Sequence, residues 1–281
     1  MNTLFDFNDN NQYYLFNDDC IEAMKQLEDN SIDMVLADPP YGTTACKWDS
    51  IIPLELMWEQ LKRIIKSNGA VVITATQPFT SALIMSNPKM FKYCWIWEKN
   101  LKTGNLNARR MPMGGHEEIA VFGNKNLTYN PQKKKRTTEV KSGNKTNSKT
   151  SVYGVQREQY IDRQDDWINP DTVIKNISCV HNSSGKLHPT QKPVALMEYL
   201  IRTYSNEDEI ILDFAMGSGT TGAAAINLNR KFIGIELDES YYKISKNRID
   251  TSLGESNNNT NNSSNETENL NIHSILKEDD D

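Results

Sequence analysis

The tetrapeptide Asp38-Pro39-Pro40-Tyr41 has the residue types needed to handle an amino group on a flat ring. It follows the apolar run 32–37, which predicts a short buried strand that ends at the tetrapeptide. A carboxylate and outward-facing carbonyls can accept hydrogen bonds from an exocyclic NH₂ group, and a tyrosine ring offers a face for stacking. Two prolines fix φ and hold these acceptors rigidly. A proline turn capped by an aspartate is the alternative interpretation when the tetrapeptide is considered alone.

A second motif, the run 213–222, has the composition of a turn that holds a nucleoside-type cofactor. Its glycines follow the G-x-G-x-x-G pattern, at Gly217, Gly219 and Gly222. Glycine lets the backbone approach a ligand closely because no Cβ intervenes. The next apolar run, 232–235, ends in Glu236, an acid suited to ribose hydroxyls. Taken alone, the pattern also fits an NAD site, or a glycine turn that only packs a helix against a sheet.

These two motifs, together with the segment His-Pro-Thr-Gln-Lys-Pro at 188–193, resemble the signature of S-adenosylmethionine-dependent DNA amino-methyltransferases. The order resembles the permuted class, in which the catalytic motif precedes the cofactor motif. The similarity extends over roughly 13–248, and the segment 17–22 resembles the acidic turn before the catalytic strand. In one departure, Ala215 stands where the family often has an aromatic residue. Stacking on the cofactor would then pass to Phe214 or another side chain.

The resemblance implies that Asp38, Pro39, Pro40 and Tyr41 are the catalytic residues. The Asp38 carboxylate and the Pro39 carbonyl would accept the two hydrogens of the target amine, and Tyr41 would stack on a base flipped out of the duplex. An aspartate at the head of the motif resembles the adenine-N6 enzymes, whereas cytosine-N4 enzymes more often have serine there. Adenine N6 is therefore the expected target and cytosine N4 the alternative. Neither a metal nor a covalent enzyme intermediate is required.

The resemblance also implies the contacts to S-adenosylmethionine. The glycine loop would approach its amino-acid portion, Glu236 its ribose hydroxyls and Asp19 its adenine edge. Thr190 and Lys192 would meet the methionine carboxylate, and Asp213 the ammonium. The full expected set is Asp19, Thr190, Lys192, Asp213, Phe214, Gly217, Ser218, Gly219, Thr220, Thr221 and Glu236.

Helices and strands alternate along the chain, which predicts an α/β fold with a three-layer, mostly parallel twisted sheet. The resemblance implies a circularly permuted Rossmann-like methyltransferase fold. Helices are predicted over 54–66, 78–85, 193–204, 238–249 and in a segment ending at 227, and strands over 32–37, 70–75, 92–97, 119–122, 210–213 and 232–236. The expected domains are a catalytic part at 13–123, a target recognition insertion at 124–187, a cofactor-binding part at 188–250 and an acidic tail at 251–281.

The net charge of −6 lies entirely in the tail 251–281, which holds seven acids and one base. This Asn- and Ser-rich tail lacks the apolar content to offset its ordering entropy and is predicted to be disordered. The rest of the chain is balanced, so its overall acidity does not exclude nucleic acid.

The segment 99–150 has twelve bases and three acids, a charge of +9. Such a basic region is the electrostatic footprint of phosphate binding, although a solvated lysine-rich insertion has the same composition.

Double-stranded DNA is therefore the expected partner. The expected phosphate contacts are Arg109, Arg110, Lys133, Lys134, Lys135 and Arg136. The two arginines at 109–110 belong to a long polar loop, 104–115, and the other four bases lie where the family keeps its target recognition domain. An RNA methyltransferase, an NAD-dependent oxidoreductase and an inactive DNA-binding module remain as alternatives.

Other features exclude further classes of protein. His116-Glu117-Glu118 lacks the second histidine of a zinc protease, so no metal site is expected. The four cysteines include no C-x-x-C pair and are expected to stay reduced. No secretory h-region or long apolar run is present, so a cytoplasmic protein outside the membrane is expected. The sequence leaves open the DNA site, a homodimer and a companion restriction endonuclease.

Overall fold

The computed structural model describes residues 7, 12–42, 49–136, 166–180, 187 and 191–254. These residues divide into two compact units, one drawn from Met1–Asn130 and Thr172–Asp281, and the other from Pro131–Asp171. Residues 255–281 of the acidic tail, Thr190 and most of the expected recognition insertion lie outside the described residues. Residues 251–254, predicted as the start of a disordered tail, instead continue the preceding helix, where Leu253 packs against the core. The expected domain boundaries at 124 and 187 therefore stay predictions.

The larger unit is built on one mostly parallel sheet. The strands in chain order are β1 (Tyr13–Asn17), β2 (Ile32–Ala37), β3 (Ile65–Ala75), β4 (Phe91–Thr103), β5 (Gly114–Gly123), β6 (Lys134–Lys135), β7 (Trp167–Ile168), β8 (Val173–Ile174), β9 (Ile210–Asp213) and β10 (Lys231–Glu236). The order within the sheet is β1-β10-β9-β2-β3-β5-β4-β8, and only β5 runs antiparallel to its neighbours. Strands β6 and β7 form an antiparallel pair in the smaller unit.

Helices cover both faces of the sheet. They are α1 (Cys20–Lys25), α2 (Leu54–Ile64), α3 (Phe79–Ser86), α4 (Val194–Tyr204), α5 (Thr220–Asn227) and α6 (239–254). Successive side chains of a strand point to opposite faces. In β2, Val35 and Ala37 pack in the cluster formed with α1, α2 and α3. Met34 and Leu36 pack in the cluster formed with α4, α5 and Ile249 of α6. The expected three-layer α/β fold is confirmed.

Three strands extend well beyond the segments that the apolar pattern predicts. Strand β3 begins at Ile65, so the helix predicted over 54–66 ends at Ile64 instead. Ile65 pairs with Ile32 of β2, a contact that the pattern within one segment does not show. Strand β4 continues to Thr103, and β5 begins at Gly114. The added residues are polar and mostly exposed, and they pair with each other as a hairpin. An apolar pattern marks only the part of a strand that enters the core, so it misses such an extension.

Near the N-terminus the structure adds β1 and α1, neither of which the sequence predicts as an element. Strand β1 is half-buried at the edge of the sheet, with no clear alternation. Helix α1 has six residues and begins at Cys20, with Asp19 as its N-cap. Both elements are too short for a periodic pattern to identify them.

Candidate active site

The carboxyl ends of three neighbouring parallel strands meet at one edge of the sheet. Strand β9 pairs with β2 on one side and with β10 on the other. Asp38 follows β2, Asp213 ends β9, and Glu236 ends β10. A cavity of about 750 Å³ opens here, and all three acids line it. The two motifs, distant in the sequence, therefore form one site.

The charge of the cavity wall is strongly negative. Its described ionisable residues include one base, Lys192. The acids that line it are Asp18, Asp19, Asp38, Asp49, Asp213, Glu236 and Asp238. Such a wall attracts a cationic ligand with hydroxyl or amino donors and repels an anionic group such as a pyrophosphate.

Several donors hold the Asp38 carboxylate. The Tyr41 hydroxyl donates to Oδ1 at 2.5 Å, and the Thr74 hydroxyl donates to the same oxygen. Lys192 Nζ donates to Oδ1 at 2.8 Å and to Oδ2 at 2.7 Å. Thr74 is in reach because β2 and β3 pair Ala37 with Ile73, which places the next residue of each strand side by side. The carboxylate is therefore fixed before any ligand enters.

The ring and backbone of Tyr41 are fixed as well. Its ring stacks on Phe79, with centroids 5.4 Å apart and an angle of 24° between the planes. Asp49 Oδ1 accepts hydrogen bonds from Tyr41 N at 2.8 Å and from Gly42 N at 2.9 Å. Burial, and then the adjacent negative charge of Asp38, raise the pKa of Tyr41 well above its ordinary value, so its hydroxyl stays a donor. Stacking of a target base on Tyr41 stays a prediction.

Lys192 lies between two carboxylates. Besides its bonds to Asp38, its Nζ lies 3.3 Å from Glu117 Oε2. Burial lowers the pKa of Lys192, but attraction to Asp38, Tyr41 and Glu117 outweighs burial and leaves the pKa well above its ordinary value. Lys192 is thus a buried, charged ammonium in contact with the Asp38 carboxylate. Its expected contact with a methionine carboxylate stays a prediction, as does that of Thr190.

Backbone geometry at the glycine loop shapes the other half of the cavity. Gly217 N donates to Glu236 Oε2 at 2.8 Å, and Asp238 N donates to Oε1 at 2.9 Å. These bonds tie the loop to the end of β10. Gly219 caps α5 with φ of +75°, a left-handed conformation that favours glycine. Arg248 Nη1 donates to Thr220 Oγ1 at 2.8 Å and supports the loop from α6.

Burial raises the pKa values of two carboxyl groups in the expected cofactor motif, Asp213 and Glu236. Burial raises the pKa of Asp213 to about 7, although Thr221 and the Ala215 N–H donate hydrogen bonds to it. Burial also raises the pKa of Glu236, against hydrogen bonds from the Asp238 and Gly217 backbone. Burial disfavours a charged carboxylate unless a cation compensates it. Both groups are therefore suited to a positively charged ligand.

Five other expected cofactor residues line the cavity but differ in how exposed they are. Asp19 is exposed and lines the cavity, and its Oδ1 accepts from Ile21 N at 2.9 Å as the cap of α1. Phe214 also lines the cavity, but it is 2% exposed and packs in the core beneath. Ser218, Thr220 and Thr221 are buried in the cavity wall. Pro39 and Pro40 line it beside Asp38.

The expected DNA contacts lie elsewhere. Arg109 and Arg110 are exposed in the connection between β4 and β5, and neither lines the cavity. Lys134 and Lys135 are exposed on β6 of the smaller unit. Lys133 is exposed as well, whereas Arg136 is half-buried and its Nε is buried, so its expected phosphate contact is the least accessible of the six. The structure thus gathers most of the expected catalytic and cofactor residues at one cavity.

Sequence reasoning missed three residues that support the site: Thr74, Asp49 and Glu117. Thr74 carried a signal, because it is the polar residue within the apolar run 70–75. Asp49 and Glu117 carried none, since acids in turns and at strand ends are common. Within the described residues, no group of three or more His, Cys, Asp or Glu side chains could hold a metal, and no helix is long and apolar enough to cross a membrane.

Comparisons with known proteins agree with this geometry. The family model for N6/N4 DNA methylases matches residues 32–247. The chain is 31% identical over 254 residues to the type II methyltransferase M.HpaI of Haemophilus parainfluenzae, covering 82% of this chain and 72% of that protein. It is 28% identical over 274 residues to the type II methyltransferase M2.MboI of Moraxella bovis, covering 85% of this chain and 88% of that protein.

Solved structures give the same fold. The M1.HpyAVI–SAM complex matches with a TM-score of 0.57 and 26% identity, over 84% of this chain and 98% of that chain. The PvuII DNA methyltransferase, described as cytosine-N4-specific, matches with a TM-score of 0.62 and 15% identity, over 85% of this chain and 86% of that chain. The second match, at this identity, concerns the fold alone.

Proposed function

The chain belongs to the N6/N4 DNA methylase family, and from that premise we propose that it methylates the N6 amino group of an adenine flipped out of duplex DNA. The observation that carries methylation of an amino group is the Asp38 carboxylate, which three side chains fix in the wall of the cavity. The choice of adenine rests on the aspartate at the head of the motif, which resembles the adenine-N6 enzymes. Cytosine N4 is the second candidate, since an enzyme of that specificity shares the fold.

S-adenosylmethionine is the methyl donor of this family, and when bound it supplies an electrophilic methyl group on a cationic sulfur. The cavity suits it because the wall is acidic and includes two buried carboxyl groups with raised pKa values, Asp213 and Glu236. At Gly217, an added Cβ would meet no atom within 4 Å, so the space beside the loop is open to a ligand. Glu236 would hold the ribose hydroxyls, Asp213 the ammonium and Asp19 the adenine edge.

The residues of the chain act chiefly by orientation. An aromatic amine is a poor nucleophile because its lone pair is delocalised into the ring. Asp38 and the Pro39 carbonyl would accept its two hydrogens and draw the nitrogen toward tetrahedral geometry. Correct placement of the reacting atoms can supply about 7–11 kcal/mol of a barrier. Tyr41 would stack on the flipped base, whose extrusion costs a few kcal/mol.

The pKa of Asp213 leads to a pH-dependent affinity. Below about pH 7 this carboxyl is mostly neutral, and above it the carboxylate can attract the ammonium of the cofactor. Affinity for S-adenosylmethionine should therefore rise with pH, by roughly tenfold between pH 6 and pH 7.5. Titration calorimetry measures the Kd at both values. Asp213→Asn should remove most of the dependence, and an equal dependence in the variant would assign it to another group.

The exposed bases give a second testable contact, with DNA. Replacing Arg109 and Arg110 with alanine should weaken binding and flatten its salt dependence, because each lost phosphate contact removes about 0.9 from the slope of log K against log salt. Two contacts correspond to a change of about 1.8. Fluorescence anisotropy with a labelled duplex measures both quantities. The same change is expected for Lys134 and Lys135, within the basic run 133–136.

A matched control removes two positive charges elsewhere. Lys25 and Lys243 are 52% and 68% exposed on α1 and α6, and neither belongs to the basic segment. Their double alanine variant loses the same net charge as the test variants. Because neither lysine belongs to the basic segment, the variant should leave the salt slope of DNA binding unchanged. A slope that changes equally in both double variants would mean that total charge, and not these positions, determines DNA binding.

The proposed activity is tested by transfer of a labelled methyl group. Purified protein is incubated with labelled S-adenosylmethionine and either duplex DNA, single-stranded DNA or RNA. Label in duplex DNA alone supports the proposal. Label in RNA alone would replace the substrate, and DNA binding without any transfer would favour an inactive binding module. The type II designation of the relatives also leads us to propose a companion restriction endonuclease.

A further inference from the structure

Four charged side chains form an alternating row behind the catalytic carboxylate. Lys99 Nζ lies 2.9 Å from Glu117 Oε1, and Lys192 Nζ lies 3.3 Å from Glu117 Oε2 and 2.7 Å from Asp38 Oδ2. Side-chain exposure along the row is 8% for Lys99, 17% for Glu117, 6% for Lys192 and 21% for Asp38. The row is electrically neutral, and it begins on β4, crosses β5 and ends beside β2.

The two oxygens of Asp38 are unequally occupied. Oδ1 accepts from Lys192, from the Tyr41 hydroxyl and from the Thr74 hydroxyl. Oδ2 accepts from Lys192 alone within the described part of the chain. A carboxylate oxygen has two lone pairs, so Oδ1 is saturated while Oδ2 keeps one acceptor position. The oxygen that can take a hydrogen from an incoming amine is therefore Oδ2.

From this arrangement we infer that Lys192 is a positioning residue that presents Oδ2 of Asp38 to the target amine, and that Glu117 and Lys99 hold Lys192 in place. The inference rests on amino-group methylation and applies equally to adenine N6 and cytosine N4. Nothing in the arrangement requires Lys192 to touch the cofactor. A lysine shared by two buried carboxylates has little freedom to turn, because leaving either one would strand a buried charge.

The row also places charges of both signs near Asp38. A carboxylate is an acceptor on both oxygens only when ionised, and a cation in contact favours the ionised form. Glu117 has the opposite effect from Lys192, because a second negative charge near Asp38 disfavours the ionised form of its carboxylate. Its Oε2 is buried, makes no hydrogen bond within the described residues and faces only the charge of Lys192. Removing Lys192 would leave two negative groups facing each other.

The test uses the whole chain and two variants that are expected to shift the acid limb of the pH–rate profile in opposite directions. Lys192→Met keeps the bulk and removes the charge, and Glu117→Gln keeps the shape and removes a negative charge. The control is Lys66→Met, which breaks the 2.7 Å pair with Asp33 at the other end of the same strand, β2. Asp33 keeps a hydrogen bond from Ile210 N at 3.0 Å. The methylated nucleoside formed by the wild type is identified first, so that the overall function is decided separately.

We expect Lys192→Met to lower kcat by about ten- to a hundredfold, as for loss of a hydrogen bond to a charged group. The acid limb of its pH–rate profile should move to higher pH, because the variant loses the cation in contact with Asp38. Glu117→Gln should lower kcat less and move the limb downward or not at all, and Lys66→Met should match the wild type. The Kd for S-adenosylmethionine should stay the same in all three variants.

Two outcomes would overturn the inference. The first is a Lys192→Met enzyme with a weakened Kd for S-adenosylmethionine and an unmoved acid limb, because that result makes Lys192 a cofactor ligand. The second is an acid limb that moves in the same direction in Lys192→Met and Glu117→Gln. These variants remove opposite charges, so an effect of charge should not shift both limbs the same way, whereas a general structural disturbance can. If Lys192→Met fails to fold, the Glu117→Gln profile alone decides, because an upward shift there contradicts the inference.

Discussion

Asp38→Ala is expected to lower the rate of methyl transfer by about 10²- to 10³-fold or more, the size of effect seen when a fixed hydrogen-bonding group is removed from an active site. The variant loses the acceptor that aligns the target amine. It should still fold, because Lys192 keeps Glu117 as a partner at 3.3 Å and the ring of Tyr41 keeps its contact with Phe79. Initial rates with labelled S-adenosylmethionine measure the effect.

The control for this prediction is binding. Asp38→Ala should retain its Kd for S-adenosylmethionine and its affinity for DNA, since the basic residues and the glycine loop are untouched. Asp38→Asn separates charge from shape, because the amide keeps one oxygen acceptor and loses the negative charge. A rate within a few-fold of the wild type in the alanine variant would remove Asp38 from the mechanism.

Gly219→Ala is expected to have the second largest effect, on both stability and cofactor binding. Gly219 has φ of +75°, and an added Cβ would lie 2.8 Å from Ser245 Cβ and 2.9 Å from Ser245 Cα. The left-handed backbone and the clash together should cost about 2–5 kcal/mol of the free energy of unfolding. Relief of the clash requires the loop to move away from α6, and a shift of about 1 Å in an active site can cost about a hundredfold in activity.

Gly217→Ala is the matched comparison for that prediction. Gly217 also has a positive φ, +52°, but an added Cβ there meets nothing within 4 Å. Only the backbone penalty, about 1–2 kcal/mol, should apply in the absence of ligand. Chemical denaturation measures both variants, and calorimetry measures their cofactor affinity. Equal loss of stability in the two variants would contradict the assigned clash with Ser245.

Much of the site was predictable because its parts lie at the ends of apolar strands. The runs 32–37 and 210–213 predict buried strands, and the carboxyl ends of parallel strands lie at the same edge of a sheet. Asp38, Asp213 and Glu236 therefore could be placed together without coordinates. The three-layer fold was predictable for the same reason, since alternating helices and strands leave few other arrangements.

The contacts between individual side chains could not be predicted from the sequence. Thr74 reaches Asp38 only because β2 and β3 pair in one register, and register is not encoded in either strand alone. Glu117 lies on β5 and Lys192 in the segment before α4, so their contact is a tertiary one that neither segment shows in its own pattern. Strand β1 and helix α1 were missed because each is short and partly exposed.

Identification of the modified nucleoside decides whether the chain methylates DNA and on which base. Purified protein is incubated with unmethylated duplex DNA and S-adenosylmethionine, and the DNA is then digested and analysed by mass spectrometry. We expect N6-methyladenine. N4-methylcytosine would keep the role of Asp38 as an amine acceptor and overturn the choice of base. The absence of any methylated nucleoside, with cofactor and DNA both bound, would contradict the assignment of a DNA methyltransferase activity.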